Sequence, residues 1–299
     1  MANRGALERG VEALKALGYR VCLGESVAAR QGYLAGSEAL RRSDLLQMFA
    51  AAEIRAILCA RGGYGVTRLL PSLDLAALVR HPKIFVGYSD VSPLLIALVQ
   101  RGGMVAFHGP MVAADFGSPG EECEGPGNGT RVDPGLDDRS RRQLLDLVGD
   151  GLGLELEVPT VVRPGTATGV LIGGCLSLLA AVAGTPYALR GEGTILFIED
   201  IAEPSYRIDR MLTQLQQAGA FEGVRGVVFG AMTRCGPGGG AEGLLPVLTE
   251  FAERLRVPVG AGLPSGHGRP NLTLPFGVDA ELTLGTDQAH LRVRGSAVA

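Results

Sequence analysis

The stretch Lys83-Ile84-Phe85-Val86-Gly87-Tyr88-Ser89-Asp90-Val91 decides the fold, together with the apolar run that continues to Val99. Lys83 to Val86 is an apolar run of strand type. From Val91 to Val99 the apolar residues keep a period close to 3.6, which reads as a helix. Strand, sharp turn, helix is an order that turns a serine hydroxyl out of a sheet and sets neighbouring amides at a helix N-terminus. Such amides stabilise an oxyanion, and such a hydroxyl attacks a carbonyl. Ser89 is therefore the candidate nucleophile of a serine hydrolase.

Outward from this turn, helix and strand alternate. Ala6 to Leu17 is an amphipathic helix and Tyr19 to Leu23 a short strand. Ser37 caps a helix with apolar positions at Leu40, Leu45, Leu46 and Phe49. Ile54 to Cys59 reads as a buried strand, Leu75 to Val79 as a helical turn, and Met104 to Phe107 as a strand. The alternation predicts a parallel sheet with helices on both faces over residues 1–115. Phe116 to Asp138 breaks it with glycine, proline and charge, so residues 116–140 read as a flexible connector. Residues 141–299 form a second α/β domain, with strands at Gly169 to Ile172, Thr194 to Ile198, Gly226 to Phe229 and Val257 to Leu263. Its helices fall at Ser140 to Val148, Leu176 to Val182, Tyr206 to Leu215 and Leu244 to Leu255. Leu272 to Val293 alternates apolar and polar like antiparallel β.

Composition narrows the function classes. The chain has 299 residues, enough for two cores, and its formal net charge is only −3. That balance gives no drive toward nucleic acid or an anionic membrane. The five cysteines are odd in number and form no C-x-x-C pair, which argues against disulfides and a zinc knuckle and for a cytoplasmic protein. Met1-Ala2-Asn3-Arg4 begins no apolar signal core. Arg61-Gly62-Gly63-Tyr64-Gly65 follows a buried strand but is neither a P-loop nor G-x-G-x-x-G. It permits a tight βα turn or supplies a second oxyanion amide. No cofactor and no metal is expected.

A serine nucleophile needs a base, and histidine is the usual one. The chain holds His81, His108, His267 and His290. His81 and His290 read as surface residues. His108 ends a strand and His267 lies in a glycine-rich loop, and position alone makes them near equals. The orienting acid is best placed at Glu199, which ends the apolar strand Ile195-Leu196-Phe197-Ile198, with Asp200 and Glu203 as competitors. The same acids would equally favour the N-terminus of a following helix. The order Ser, acid, His is that of α/β hydrolases, although Val91 stands where G-x-S-x-G would have its second glycine.

Together these segments resemble the LD-carboxypeptidase family of serine peptidases, whose relatives include the microcin C self-immunity peptidases. The matching stretches are Gly32-Tyr33-Leu34-Ala35-Gly36-Ser37, Cys59 to Gly65, Val86 to Asp90, Phe107-His108-Gly109-Pro110-Met111, Gly173-Gly174, Gly184-Thr185-Pro186, Phe197 to Asp200, Tyr206 to Leu212 and Gly266-His267. They follow the family's order over nearly the whole chain. The resemblance implies Ser89 as nucleophile, Glu199 as orienting acid and His267 as base, with the amides of Asp90 and Gly63 as the oxyanion hole. It implies a Rossmann-like or amidotransferase-like N-terminal domain, a mixed α/β C-terminal domain, a triad across their interface, and a homodimer. The implied substrate is a peptidoglycan tetrapeptide, cut before its C-terminal D-alanine. An exopeptidase also holds a terminal carboxylate, and Arg61 and Arg207 are the candidates for that. The chain departs from the family twice. It starts at the first helix, so a strand of the first sheet is expected to be missing, and Cys175 stands where the family often carries Asn. Two other readings remain: a microcin-immunity-type peptidase for aminoacyl-nucleotides, against which the absence of Trp counts, and a non-catalytic binding protein on the same fold.

Overall fold

The computed structural model describes residues 3–119, 122–124, 130–132, 135–149 and 153–298. Helix α1 (Arg4–Ala16) opens the chain, with the Asn3 side chain accepting from the Ala6 amide as its cap. Helix α2 (Glu38–Ala50) starts at Ser37, whose Oγ accepts from the Leu40 amide, as the sequence predicts. Strand β1 (Ala56–Leu58), the short helices α3 (Val66–Leu69) and α4 (Leu75–Val79), strand β2 (Ile84–Gly87), helix α5 (Ser92–Gln100) and strand β3 (Ala106–His108) complete the first part. Strands β1, β2 and β3 are parallel neighbours. Helix α5 is buried from Ser92 to Leu98, as befits its almost continuous apolar run, and packs against β3.

Tyr19 to Leu23 does not form the expected strand. Tyr19 and Leu23 are half exposed, and β1 bonds to β2 alone among the described residues. Among the described residues that segment joins no ladder and β1 stays the edge of its sheet, since a segment that covers so little apolar surface gains little from pairing. The expected connector contains a two-stranded ladder, β4 (Glu122–Glu124) with β5 (Thr130–Val132). Its residues 120, 121, 125–129, 133 and 134 lie outside the described residues.

After helix α6 (Asp138–Gly149) the chain builds a mixed sheet from β6 (Glu155–Glu157), β7 (Thr160–Arg163), β8 (Gly165–Cys175), β9 (Thr194–Ile201), β10 (Gly226–Thr233) and β11 (Val259–Ala261). Helices α7 (Leu176–Ala181), α8 (Ser205–Gln217) and α9 (Leu245–Leu255) connect its parallel strands. Strands β12 (Leu274–Phe276), β13 (Asp279–Leu284) and β14 (Ala289–Val293) are antiparallel, as the alternation of the tail predicts. The order across the large sheet is β6-β14-β13-β8-β9-β10-β11-β7, with β8 to β11 parallel.

Strand β12 does not join that sheet. It pairs antiparallel with β3, Leu274 opposite His108, and so completes the first sheet with a strand from the far end of the chain. The two sheets share one core, in which Phe85, Leu95 and Phe276 pack in the same cluster as Leu171, Phe197 and Leu282. Burying a side chain of this size contributes about 1.5–3 kcal/mol. The shared core therefore holds the ends of β2 and β9 in a fixed relation, and the site forms between them. Among the described residues no helix is long and apolar enough to cross a membrane.

Candidate active site

Strand β2 ends at Gly87, and Ser89 opens a short 3-10 turn to Val91 that leads into α5. Ser89 has φ +61°, a left-handed conformation that a non-glycine residue rarely adopts. Such strain of order 1–3 kcal/mol persists only where the surroundings fix it, here the buried strand before it and the buried helix after it. The turn is the predicted one, and Val91 fills the place of a second glycine without opening it.

Glu199 lies on β9 and is fully buried. His267 lies in the loop between β11 and β12. Ser89 Oγ and His267 Nε2 are 3.0 Å apart, and His267 Nδ1 is 2.7 Å from Glu199 Oε2. The same carboxylate oxygen accepts from the His267 backbone amide at 3.1 Å. The edge of the Tyr88 ring meets the imidazole at 4.9 Å, and the Tyr88 hydroxyl donates to Asp115. Three side chains expected from the sequence thus form one hydrogen-bonded line.

Burial pulls the His267 imidazolium down, but the hydrogen bond and charge of Glu199, with Asp200 and Asp115 behind it, outweigh burial and leave its pKa above the ordinary 6.5. The opposite holds for His108. It is fully buried among Tyr88, Phe197 and Phe276, and burial lowers its pKa to about 4. It is a neutral core histidine, not a ligand of Ser89 oxygen.

The other candidates separate as cleanly. Asp200, on the opposite face of β9 from Glu199, is buried and accepts from the amides of Ser177 and Ile201. Glu203 pairs with Arg207 at 2.8 Å, so Arg207 spends its guanidinium on a neighbour four residues away. Arg61 is exposed beside Gly62. Cys175, in the Asn position, is buried, its thiol pushed well up by burial, and its amide donates to Ser92 Oγ on α5 at 3.1 Å. His81 is exposed and His290 is half-buried beside Glu155.

In the glycine loop the close approach is made by Gly62. A Cβ there would stand 2.8 Å from Ser89 Cβ and 2.9 Å from its Oγ. Gly63 supplies the positive φ, +118°, that turns the loop. The backbone of this loop therefore lies directly against the Ser89 hydroxyl and the amide of Asp90.

The sequence reading missed the supports of His267. Asn271 is buried, its Oδ1 accepting from the Gly266 amide at 2.9 Å, and its backbone N–H donates to Ser140 Oγ at 2.9 Å. Gln143 exchanges two hydrogen bonds with the Thr273 backbone at 2.8 Å each. Ser265 Oγ donates to the Leu272 carbonyl at 2.6 Å. Gly266 must lack a side chain, because a Cβ would lie 2.5 Å from Glu199 Oε2. The glycine-rich composition was the visible signal; the partners on α6 carried none.

An α/β frame with a strained serine, an imidazole and a buried carboxylate in line is the arrangement of a serine hydrolase. Residues 1–109 match the N-terminal domain and residues 168–282 the C-terminal domain of LD-carboxypeptidases. The chain belongs to the LD-carboxypeptidase family and is an enzyme, a serine carboxypeptidase. It is 37% identical to the "Probable murein peptide carboxypeptidase" of Bacillus subtilis, over 90% of this chain and 81% of that one. It is 36% identical to the murein tetrapeptide carboxypeptidase of Pseudomonas aeruginosa, over 92% of this chain and 88% of the other. The crystal structure of muramoyltetrapeptide carboxypeptidase from Oxalobacter formigenes superposes with a TM-score of 0.82 at 29% identity, covering 98% of this chain and 96% of that one.

Proposed function

We propose that this enzyme hydrolyses the bond between an L-configured centre and a C-terminal D-alanine in peptidoglycan-derived tetrapeptides, through an acyl-enzyme on Ser89. The observation that carries the reading is the continuous line from Ser89 Oγ through His267 to Glu199, with steps of 3.0 and 2.7 Å. The names of the murein carboxypeptidases it resembles support the substrate class.

His267 Nε2 takes the proton of Ser89 as Oγ attacks the scissile carbonyl. Glu199 holds the Nδ1–H and stabilises the imidazolium that forms. The oxyanion rests on the amides of Asp90 and Gly63, set by the Gly62 contact with Ser89. His267 then passes its proton to the departing amine of D-alanine, and water enters by the same general-base route to release the tripeptide. Arg61, in this loop, and Arg207, which pairs with Glu203, are the candidate partners of the terminal carboxylate. The proposed setting is a cytoplasmic homodimer of two-domain chains.

The test is release of D-alanine from a synthetic tetrapeptide by the wild type and by Ser89→Ala. A drop of about 10⁶-fold in kcat is expected for loss of the nucleophile. Undiminished turnover in the variant overturns the mechanism. An aminoacyl-sulfamoyl nucleotide run alongside, and preferred over the tetrapeptide, overturns the substrate class while leaving the chemistry.

A further inference from the structure

The loop from Arg61 to Gly65 has three glycines in five residues, so little within it fixes its shape. Its restraint comes from outside. Arg41, on α2, donates from Nη1 to the Gly65 carbonyl at 3.0 Å. Asp90 Oδ2 accepts from the Val66 amide at 3.0 Å. The peptide unit joining Gly65 to Val66 is thus gripped at its carbonyl by Arg41 and at its N–H by Asp90. Asp90 is only 3% exposed; burial raises its pKa, and the backbone amides of Val66 and Gly65 and the Arg41 charge oppose that rise. Its Oδ1, like Arg41 Nε and Nη2, is buried with no hydrogen-bond partner among the described residues.

Asp90 is buried and Arg41 half-buried, and charges so placed are a poor source of stability, because desolvation offsets most of what they gain. It does impose geometry. Asp90 is the residue after Ser89, so its backbone amide faces the nucleophile while its carboxylate holds the loop across from it. Arg41 closes the other side.

We propose that Arg41 is a positioning residue for the reaction: with the Asp90 carboxylate it clamps Gly65, which keeps the Gly62–Gly63 backbone against Ser89 and its amide aimed at the oxyanion. The clamp rests on the oxyanion assignment proposed above. Donors of this kind act by being preorganised, and a displacement of about 1 Å costs on the order of 10²-fold in rate.

The experiment compares wild type, Arg41→Met, Arg41→Lys and Ser89→Ala in D-alanine release from the tetrapeptide. It also measures the affinities of the tripeptide product and of a phosphonate analogue of the scissile bond. The clamp predicts that Arg41→Met lowers kcat by about 10- to 100-fold with KM within about twofold. Arg41→Lys, which keeps one donor, recovers part of the loss. Phosphonate affinity falls in proportion to kcat/KM, and product affinity stays. Unchanged kcat in Arg41→Met, with Ser89→Ala inactive, overturns the clamp but not the site. Equal losses of product and phosphonate affinity also overturn it, since a merely structural role weakens both. If Arg41→Met does not fold, wild-type kcat in Arg41→Lys overturns it. Full turnover in Ser89→Ala overturns the site reading and the clamp with it.

Discussion

Ser89 is placed by its own neighbours, with β2 ending two residues before it and α5 beginning three residues after it. His267 owes its position to groups far along the chain: Glu199 on β9, and Ser140 and Gln143 on α6, which fasten the loop at Asn271 and Thr273. The proposed nucleophile is a local device whose strain is stored in one residue. The acid–base side is a tertiary assembly of many modest hydrogen bonds. Damage to the first should be abrupt and confined to chemistry; damage to the second should be graded and shared between activity and stability.

After Ser89→Ala, the largest effect is expected for Glu199→Gln, the point at which the assembly meets the chemistry. A loss of about 10⁴-fold in kcat/KM follows from removing the acid that fixes the tautomer. The pH profile gives the sign. As the proposed base His267 works when neutral, and its pKa is raised above the ordinary 6.5, so wild-type kcat/KM is expected to fall as pH drops through that raised value. In Glu199→Gln the largest raising group is neutralised and burial remains, so the acid limb moves to lower pH than in the wild type. The stability linkage runs the other way. A folded pKa raised above the unfolded one contributes stability fully present below the unfolded value and lost as pH rises through the folded value. The wild type therefore gains this stability where it loses activity. An acid limb that does not move in the variant would show that Glu199 does not set the charge of His267.

Gly62→Ala sharpens the contrast from the nucleophile side. One methyl group would stand 2.8 Å from Ser89 Cβ, so either the loop or the serine must retreat. We expect a fall in kcat/KM of about 10²-fold, the scale of one displaced oxyanion donor, with little change in Tm. A variant equally impaired in Tm would mean that this side is no more local than the other.

The same division explains what could be read from sequence. The turn at Ser89, the Ser37 cap and the alternating tail are short-range patterns, and each stands as a feature of the structure. The family motifs singled out Ser89, Glu199 and His267, but residue types alone left His267 level with His108 and Glu199 beside Asp200. Alternation along β9 puts Glu199 and Asp200 on opposite faces, yet it does not say which face looks toward Ser89. That depends on how β9 packs against β2, through a core shared by both sheets. His108 ends a strand just as plausibly as His267 fills a loop; only the aromatic rings from β9 and β12 show that it is enclosed. Strand β12 joining β3, and the missing ladder at Tyr19 to Leu23, are likewise pairing outcomes that no local pattern encodes.

Asn271→Ala tests the graded side one step from the chemistry. The substitution leaves the buried Gly266 amide without its acceptor, a desolvation cost of about 1–3 kcal/mol. Gly266 is the residue before His267 and is packed against Glu199. We expect Tm to fall and kcat to drop by about tenfold, because the imidazole keeps Glu199 as partner but loses its fixed approach to Ser89.

Ser140→Ala reaches one residue further out, where the expected effect is smallest. Ser140 Oγ accepts from the Asn271 amide, and both residues are buried, so the lost bond again strands a donor. The stranded amide lies four residues from His267 on the chain, and other fastenings remain, among them Gly266 to Asn271 Oδ1, Ser265 to Leu272, and the paired bonds of Gln143 with Thr273. Stability should therefore fall by about 1–3 kcal/mol, much as in Asn271→Ala, while kcat changes by no more than about threefold. Thermal denaturation and D-alanine release measured on the same preparations separate the two quantities. A kcat loss in Ser140→Ala as large as in Asn271→Ala would mean that the loop moves as one rigid piece about α6, and that the base is positioned by a single hinge rather than by several independent bonds.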